Sequence, residues 1–138
     1  MALLPISRAL ISGPDPQQSD VADIIDRVAW NPGTFSQELA KADIALAPLD
    51  ATPFSRGKCA YKLLQYAATK LPMVGSPVGA NAGALQCFSG ISAESVDEWI
   101  DALSYLVSAS AEERAARGRH AAQQVAAHYS FDAWQVEP

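Results

Sequence analysis

The amino-acid sequence predicts an α/β domain built on a mostly parallel, doubly wound sheet with helices on both faces. Short apolar runs alternate with helix-patterned segments along the chain, the order that lays successive strands side by side with helices crossing between them. One run, Asp43-Ile44-Ala45-Leu46-Ala47-Pro48-Leu49, is apolar almost without interruption, as strands covered on both faces are. There are no internal repeats or low-complexity tracts, and 138 residues with 49% in the hydrophobic class suit one domain, 1–138, with a continuous core.

The first element is the run Ser7 to Gly13, stopped by Gly13, Pro14 and Pro16, which fits a buried strand and a turn. Gln17 to Asp26 is polar, with Val21, Ile24 and Ile25 at helical spacing. Val28-Ala29-Trp30 reads as a strand end closed by Asn31-Pro32-Gly33, and Thr34 as the cap of a short helix, Phe35 to Lys41. After the strand at Asp43–Leu49, a polar loop from Asp50 to Arg56 leads into a helix from about Gly57 to Thr69. Leu71 to Gly75 is another short strand, Pro77 to Gly83 a glycine-bearing loop, and Phe88 to Ile91 a last, edge strand. Ser95 caps a helix through about Ser108 whose apolar stripe is Val96, Ile100, Leu103 and Val107. Ser110 caps the final helix, Ala111 to about His128, with Glu112 and Glu113 in the first turn, where the helix dipole favours them.

Charge and composition exclude several function classes. Ten Lys+Arg against fifteen Asp+Glu give a net charge of -5, without the basic surplus that binding to a phosphate backbone uses, so nucleic acid is not an expected partner. No apolar run approaches the ~20 residues of a membrane-spanning helix. MALLPISRALISG is broken too soon by Pro5 and Arg8 for a signal peptide. A cytoplasmic protein is expected, with a peripheral position at the inner membrane face as the alternative that Arg114, Arg117 and Arg119 leave open; with Glu112 and Glu113 these read first as a salt-bridged exposed face. Cys59 and Cys87 form neither a CxxC pair nor a disulfide framework and read as two buried thiols in a reducing compartment. His120 and His128 lack an acidic or cysteine partner at ligand spacing, so neither a metal nor another cofactor is expected, and no Ser/His/Asp or Cys/His arrangement marks a catalytic residue.

Doubly wound sheets bind ligands beyond the carboxyl ends of their strands, which directs attention to the loops after Leu49 and Gly75. In the first, a helix starting near Gly57 sets Lys58, Lys62 and Gln65 at i, i+4 and i+7 on one face. Two lysines at the positive end of a helix dipole make an anion site, a phosphate being the natural occupant, with Gln65 in reach of a hydroxyl or base edge. A solvated lysine face is the reading that spacing alone leaves beside it. The second loop, Ser76 to Asn81, offers Gly79 for close backbone approach to a ligand. Neither a Gly-x-Gly-x-x-Gly fingerprint nor a Walker motif is present.

The stretch AWNPGTFSQELAKADIALAPLDATPFSRGKCAYKLLQYAATKLPMVGSPVGANAGAL resembles the carboxyl-terminal, donor-binding half of GT-B fold glycosyltransferases of the large family that includes sucrose and glycogen synthase relatives. The similarity extends from about Leu10 to Trp134. It rests on the order of an aspartate-led apolar strand ending Pro48-Leu49, Gly57-Lys58-Cys59, Lys62-Leu63-Leu64-Gln65-Tyr66, the Leu71-Pro72 strand and Ser76-Pro77-Val78-Gly79 with Asn81. It implies a Rossmann-like half of a two-domain retaining hexosyltransferase acting in polysaccharide biosynthesis. The implied substrate is a nucleotide-diphosphate sugar of the UDP or GDP type, contacted at Ser55, Gly57, Lys58, Lys62, Gln65, Gly79 and Asn81. Many relatives carry two glutamates eight residues apart where Gly57 and Gln65 stand here, so the chain looks like the subgroup with a Lys-x-x-Gln or Lys-x-x-Glu pattern.

The departures from the family pattern carry expectations of their own. Lys70 replaces a small residue, Gly83 and Ala84 replace an acidic one, and the segment after Leu85 is short. The first strand-helix unit is lacking, and in a 3-2-1-4-5-6 sheet its strand is central. The acceptor half is lacking too. An isolated chain is therefore expected to bind nucleotide weakly or not at all and to turn over no donor. The alternative is a non-enzymatic remnant or interaction domain that docks on an acceptor-binding partner half or self-associates as a homo-oligomer. A flavodoxin-like or receiver-type module is a third reading, disfavoured because the acidic or phosphate-loop residues it needs at its first strand end are not found.

Overall fold

The computed structural model describes residues 9–11 and 25–130. The turn at Gly13 to Pro16, the helical spacing of Val21 and Ile24, and Phe131 and Trp134 lie outside the described residues. In chain order the elements are β1 (Ala9–Ile11), β2 (Ile25–Arg27), α1 (Phe35–Leu39), β3 (Ala45–Ala47), α2 (Pro53–Arg56), α3 (Tyr61–Ala68), β4 (Met73–Gly75), α4 (Ala80–Cys87), β5 (Ile91–Ser92), α5 (Val96–Ser108) and α6 (Ala111–Tyr129).

Among the described residues every strand pairing is parallel, as the alternation of elements leads one to expect. The strands form two sheets, a two-stranded β1-β2 and a three-stranded β3-β4-β5. In the larger sheet Ala45 lies opposite Met73 and Ala47 opposite Gly75, and Val74 lies opposite Ile91. Side chains alternate between its faces. Ala45, Ala47 and Met73 pack with Leu63 and Ala67 of α3, Leu85 of α4 and Ala121 of α6. Val74 packs on the other face with Ala102 and Leu106 of α5, flanked by Ile44, Ile91 and Trp99. The result is a three-layer α/β arrangement around a small parallel sheet. Among the described residues no helix is long and apolar enough to cross a membrane.

The ends of the helices follow local chemistry. Ser95 and Glu98 form a reciprocal capping box on α5, with Glu98 N–H donating to Ser95 Oγ at 3.2 Å and Ser95 N–H to Glu98 Oε2 at 3.1 Å. Ser110 Oγ accepts from Glu113 N–H at 3.1 Å at the start of α6. Thr34 stands at the start of α1 without capping it; Asn31 does that work, its backbone carbonyl accepting from Thr34 and Phe35 at 3.1 and 2.9 Å.

Several sequence expectations need correction. Ile25 and Asp26 belong to strand β2 rather than to a helical segment, and Val28 to Trp30 lie beyond it. β3 is not covered on both faces: it is the outer strand of its sheet, and Leu46 is 41% exposed between buried Ala45 and Ala47. The supposed loop ending at Gly83 turns helical at Ala80, and Gly83 lies inside α4 with open space where a Cβ would stand. The face α5 buries is Ala102 and Leu106, while Val96 and Ile100 are 75% and 56% exposed. Cys59 is exposed rather than buried, and Cys87 is half-buried. The salt-bridged face expected of the α6 arginines is there in part, with Arg117 Nε 4.0 Å from Glu113 Oε1, but Arg114 and Arg117 also bond elsewhere. Arg114 donates to the Leu106 and Ala109 carbonyls at the end of α5 at 3.1 and 2.6 Å. Arg117 reaches Tyr105 Oη at 3.0 Å and the Ser89 carbonyl at 3.3 Å.

Candidate functional site

The carboxyl ends of β3 and β4 are joined by two contacts. Leu49 N–H, just past β3, donates to the hydroxyl of buried Ser76, just past β4, at 3.0 Å. Gly79 then rests on the backbone of α2 with φ +56°, so close that a Cβ there would stand 2.4 Å from the Arg56 carbonyl oxygen. Glycine at this position therefore permits loop-on-loop packing, where the sequence suggested close approach to a ligand.

The turn between β3 and α2 is organised by Asp50. Its carboxylate accepts hydrogen bonds from Ser55 Oγ and, at 2.8 Å, from Thr52 Oγ1, while Thr52 Oγ1 caps α2 by accepting from Ser55 N–H at 3.2 Å. These hydroxyl donors, Ser55 first, hold the Asp50 carboxyl below the usual carboxylate range, with Lys58 adding a smaller attraction. Ser55 is 4% exposed and committed to this turn, so its hydroxyl serves the loop and not a ligand.

The lysine face predicted for one long helix is broken. The chain leaves helical geometry after Arg56 and re-enters at Tyr61, with Ala60 in the left-handed conformation at φ 57° as the cap of α3. Lys58 thus lies outside α3, and its ammonium stands 5.1 Å from the centre of the exposed Phe54 ring. Gly57 has φ −82° and room for a side chain, so nothing at that position requires glycine. Lys62 and Gln65 do share a face of α3, three residues apart; Lys62 is exposed and Gln65 half-buried. The break was legible only weakly, in the Gly57-Lys58-Cys59 interruption between Pro53 and Tyr61.

Two helix N-termini open at this end of the sheet without a side-chain cap: α3 after Ala60 and α4 after Gly79. Asn81, in the first turn of α4, is 3% exposed. No fully buried side-chain nitrogen or oxygen lacks a partner among the described residues, so its amide, which none of them bonds, keeps an edge open to solvent. In the first turns, Leu63 N–H donates to the Ala60 carbonyl, Asn81 N–H to Val78 and Ala82 N–H to Gly79, which leaves the N–H groups of Tyr61, Lys62 and Ala80, with the Lys62 and Gln65 side chains and the Asn81 amide, for an anionic, hydroxyl-bearing ligand. Among the described residues no group of three or more His, Cys, Asp or Glu side chains could hold a metal ion.

A shallow cavity of about 150 Å³ lies at the opposite end of the sheet, where Asp43 and Pro72 precede β3 and β4, with Lys70 and Arg114 on its rim. Arg114 is already committed to the α5 carbonyls, and the cavity shares no residue with the loops above. No family model, no curated protein and no solved structure matches the chain.

Proposed function

We propose that the chain is a donor-binding domain of the GT-B glycosyltransferase type, holding a nucleotide-diphosphate sugar where α3 and α4 begin. The observation that carries this reading is the contrast in capping. Thr52, Ser95 and Ser110 cap the starts of α2, α5 and α6, whereas α3, which follows α2 on the way from β3 to β4, and α4, directly after β4, begin without a side-chain cap, as the short α1 also does. An uncapped N-terminus at the carboxyl end of a parallel strand is a seat for phosphate. Lys62 offsets charge on the diphosphate, Gln65 holds a hydroxyl or base edge, and the largely buried Asn81 offers the edge of its amide that solvent reaches. Lys58 contributes only if it leaves the Phe54 ring. Ser55, Gly57 and Gly79 shape the loop without touching the ligand. No catalytic residue is assigned.

The test is backbone chemical-shift perturbation of the full chain with millimolar UDP and GDP. Shifts confined to Tyr61–Gln65 and Gly79–Ala82 are expected, with affinity reduced about tenfold by Lys62→Ala, since a charge-assisted hydrogen bond contributes ~1.5–3 kcal/mol. Scattered shifts, or none, would defeat the proposal. No release of nucleotide from a UDP- or GDP-sugar panel is expected; release that Lys62→Ala abolishes would show the chain to be an enzyme in its own right.

A second reading, an interaction domain that docks on a partner half, is favoured by the division of the sheet. The described strands fall into two separate parallel sheets, β1-β2 and β3-β4-β5. Co-purification with a polypeptide that supplies a strand to β3 supports this reading, and a stable chain that recruits none counts against it.

A further inference from the structure

We propose that Tyr66 is an edge guard, its hydroxyl occupying the outward carbonyl of β3 and so keeping this open sheet edge from pairing with a second copy of the chain. The inference rests on sheet order and hydrogen bonding and is independent of the nucleotide-sugar reading. Ala45 and Ala47 direct their backbone groups at β4: Ala45 N–H donates to the Pro72 carbonyl at 2.9 Å, and Ser76 N–H donates to the Ala47 carbonyl at 3.1 Å. Alternate residues of a strand face alternate neighbours, so the N–H and C=O of Leu46 face the side where β3 has no neighbouring strand among the described residues. That edge is kept short, with β3 three residues long and Asp43 and Pro48 just outside it, but nothing between them deters pairing. Ile44 to Ala47 contains no charge and no proline, and the Leu46 side chain is itself 41% exposed.

An antiparallel pair of β3 strands related by a two-fold axis, with Leu46 facing Leu46, would need both the N–H and the C=O of that residue. One of the two is taken. Tyr66, on α3, donates its hydroxyl to the Leu46 carbonyl at 3.0 Å, and its half-buried ring packs against the core of Ala45, Ala47 and Leu63. A strand pairing there must share that carbonyl oxygen with the hydroxyl or displace it.

The experiment is sedimentation velocity over a concentration series on the full chain, with folding checked by circular dichroism. Tyr66→Phe, which removes only the hydroxyl, is expected to associate at about tenfold lower concentration than the natural chain, the loss of a guard bond on each of two copies. Adding Leu46→Lys to that variant places a charge on the edge and is expected to restore the natural mass distribution. An unchanged distribution in folded Tyr66→Phe overturns the proposal. So does association that Leu46→Lys leaves intact, because it then runs through another surface. Should Tyr66→Phe fail to fold, Leu46→Lys in the otherwise natural chain decides. No change in mass means the edge was already closed, and a fall in association means it was never guarded.

Discussion

At the scale of single residues, the sharpest constraints are close backbone approaches that a sequence pattern does not record. Gly118, buried in α6, faces the loop before β4 so tightly that a Cβ would stand 1.8 Å from the Lys70 carbonyl oxygen. Gly118→Ala should cost about 3 kcal/mol in urea-unfolding free energy, at the upper end for overpacking because the obstacle is backbone and cannot rotate away. Gly83→Ala is the control. With nothing within 4 Å and a helical backbone, it should gain roughly 0.5–1 kcal/mol through reduced unfolded-chain entropy, and a loss there would contradict the geometry. Titrating residues add a pH dependence at both extremes. Asp50 is held below its ordinary value chiefly by the Ser55 hydroxyl, and Glu98 by the Glu94 and Ser95 N–H groups. A carboxyl depressed in the folded state contributes stability that is present above its unfolded value, and that contribution is lost as pH falls through the folded one. Urea midpoints should therefore fall below about pH 4, and Asp50→Asn with Glu98→Gln should flatten the fall. Burial pushes the Tyr66 phenol up, so its contribution is full below about pH 10 and is lost as pH rises through the folded value. Tyr66→Phe should soften the alkaline decline.

At the scale of elements, α5 shows how an apolar stripe misleads. Val96, Ile100, Leu103 and Val107 are correctly spaced for one face, yet the helix is rotated so that Trp99, Ala102 and Leu106 meet Val74 and Ala93, with Leu103 the stripe residue that joins them and Val96 and Ile100 left exposed. The signal was divided between two adjacent stripes, and alanine at 102 carries little weight in a hydrophobic count although the close approach of helix to sheet selects it. Leu106→Ala should cost about 2–5 kcal/mol. Val96→Lys should change unfolding free energy by no more than about 0.5 kcal/mol. Equal effects would restore the stripe as the sequence drew it. The caps were more legible, because a serine followed three residues on by glutamate marks a helix start through chemistry local to one turn. Ser95→Ala should cost about 1 kcal/mol. α4 and the break between α2 and α3 escaped for the opposite reason. Their boundaries sit at Gly79 and Ala60, which mark a helix start through backbone conformation and offer no capping side chain to read.

At the scale of the whole molecule, the division into two sheets sets expectations for cooperativity. β3-β4-β5 is packed by helices on both faces, whereas a lone two-stranded pair such as β1-β2 is marginal without further cover. Native-state hydrogen exchange should find amides of Ala9–Ile11 and Ile25–Arg27 opening at lower free energy than those of Met73–Gly75. Uniform protection across both sheets would mean that the pairs unfold as one unit.

The sequence by itself determined the α/β class, the parallel sense of the strands, the positions of most elements and the capping of α5 and α6. These depend on composition, periodicity and contacts within a turn or two. It also directed attention to Lys62, Gln65 and Asn81 at the carboxyl ends of β3 and β4. Tertiary structure decided what each polar residue is committed to. Ser55 is consumed by Asp50, Ser76 by Leu49, Arg114 by α5 and Tyr66 by the edge of β3. Each pairing joins a side chain to a group whose direction is fixed by a neighbouring turn, helix or strand, and spacing along the chain does not carry that direction. The exposure of Leu46 follows from the same cause, since the run Ile44 to Ala47 reads alike whether a neighbouring strand lies on one side of it or on both.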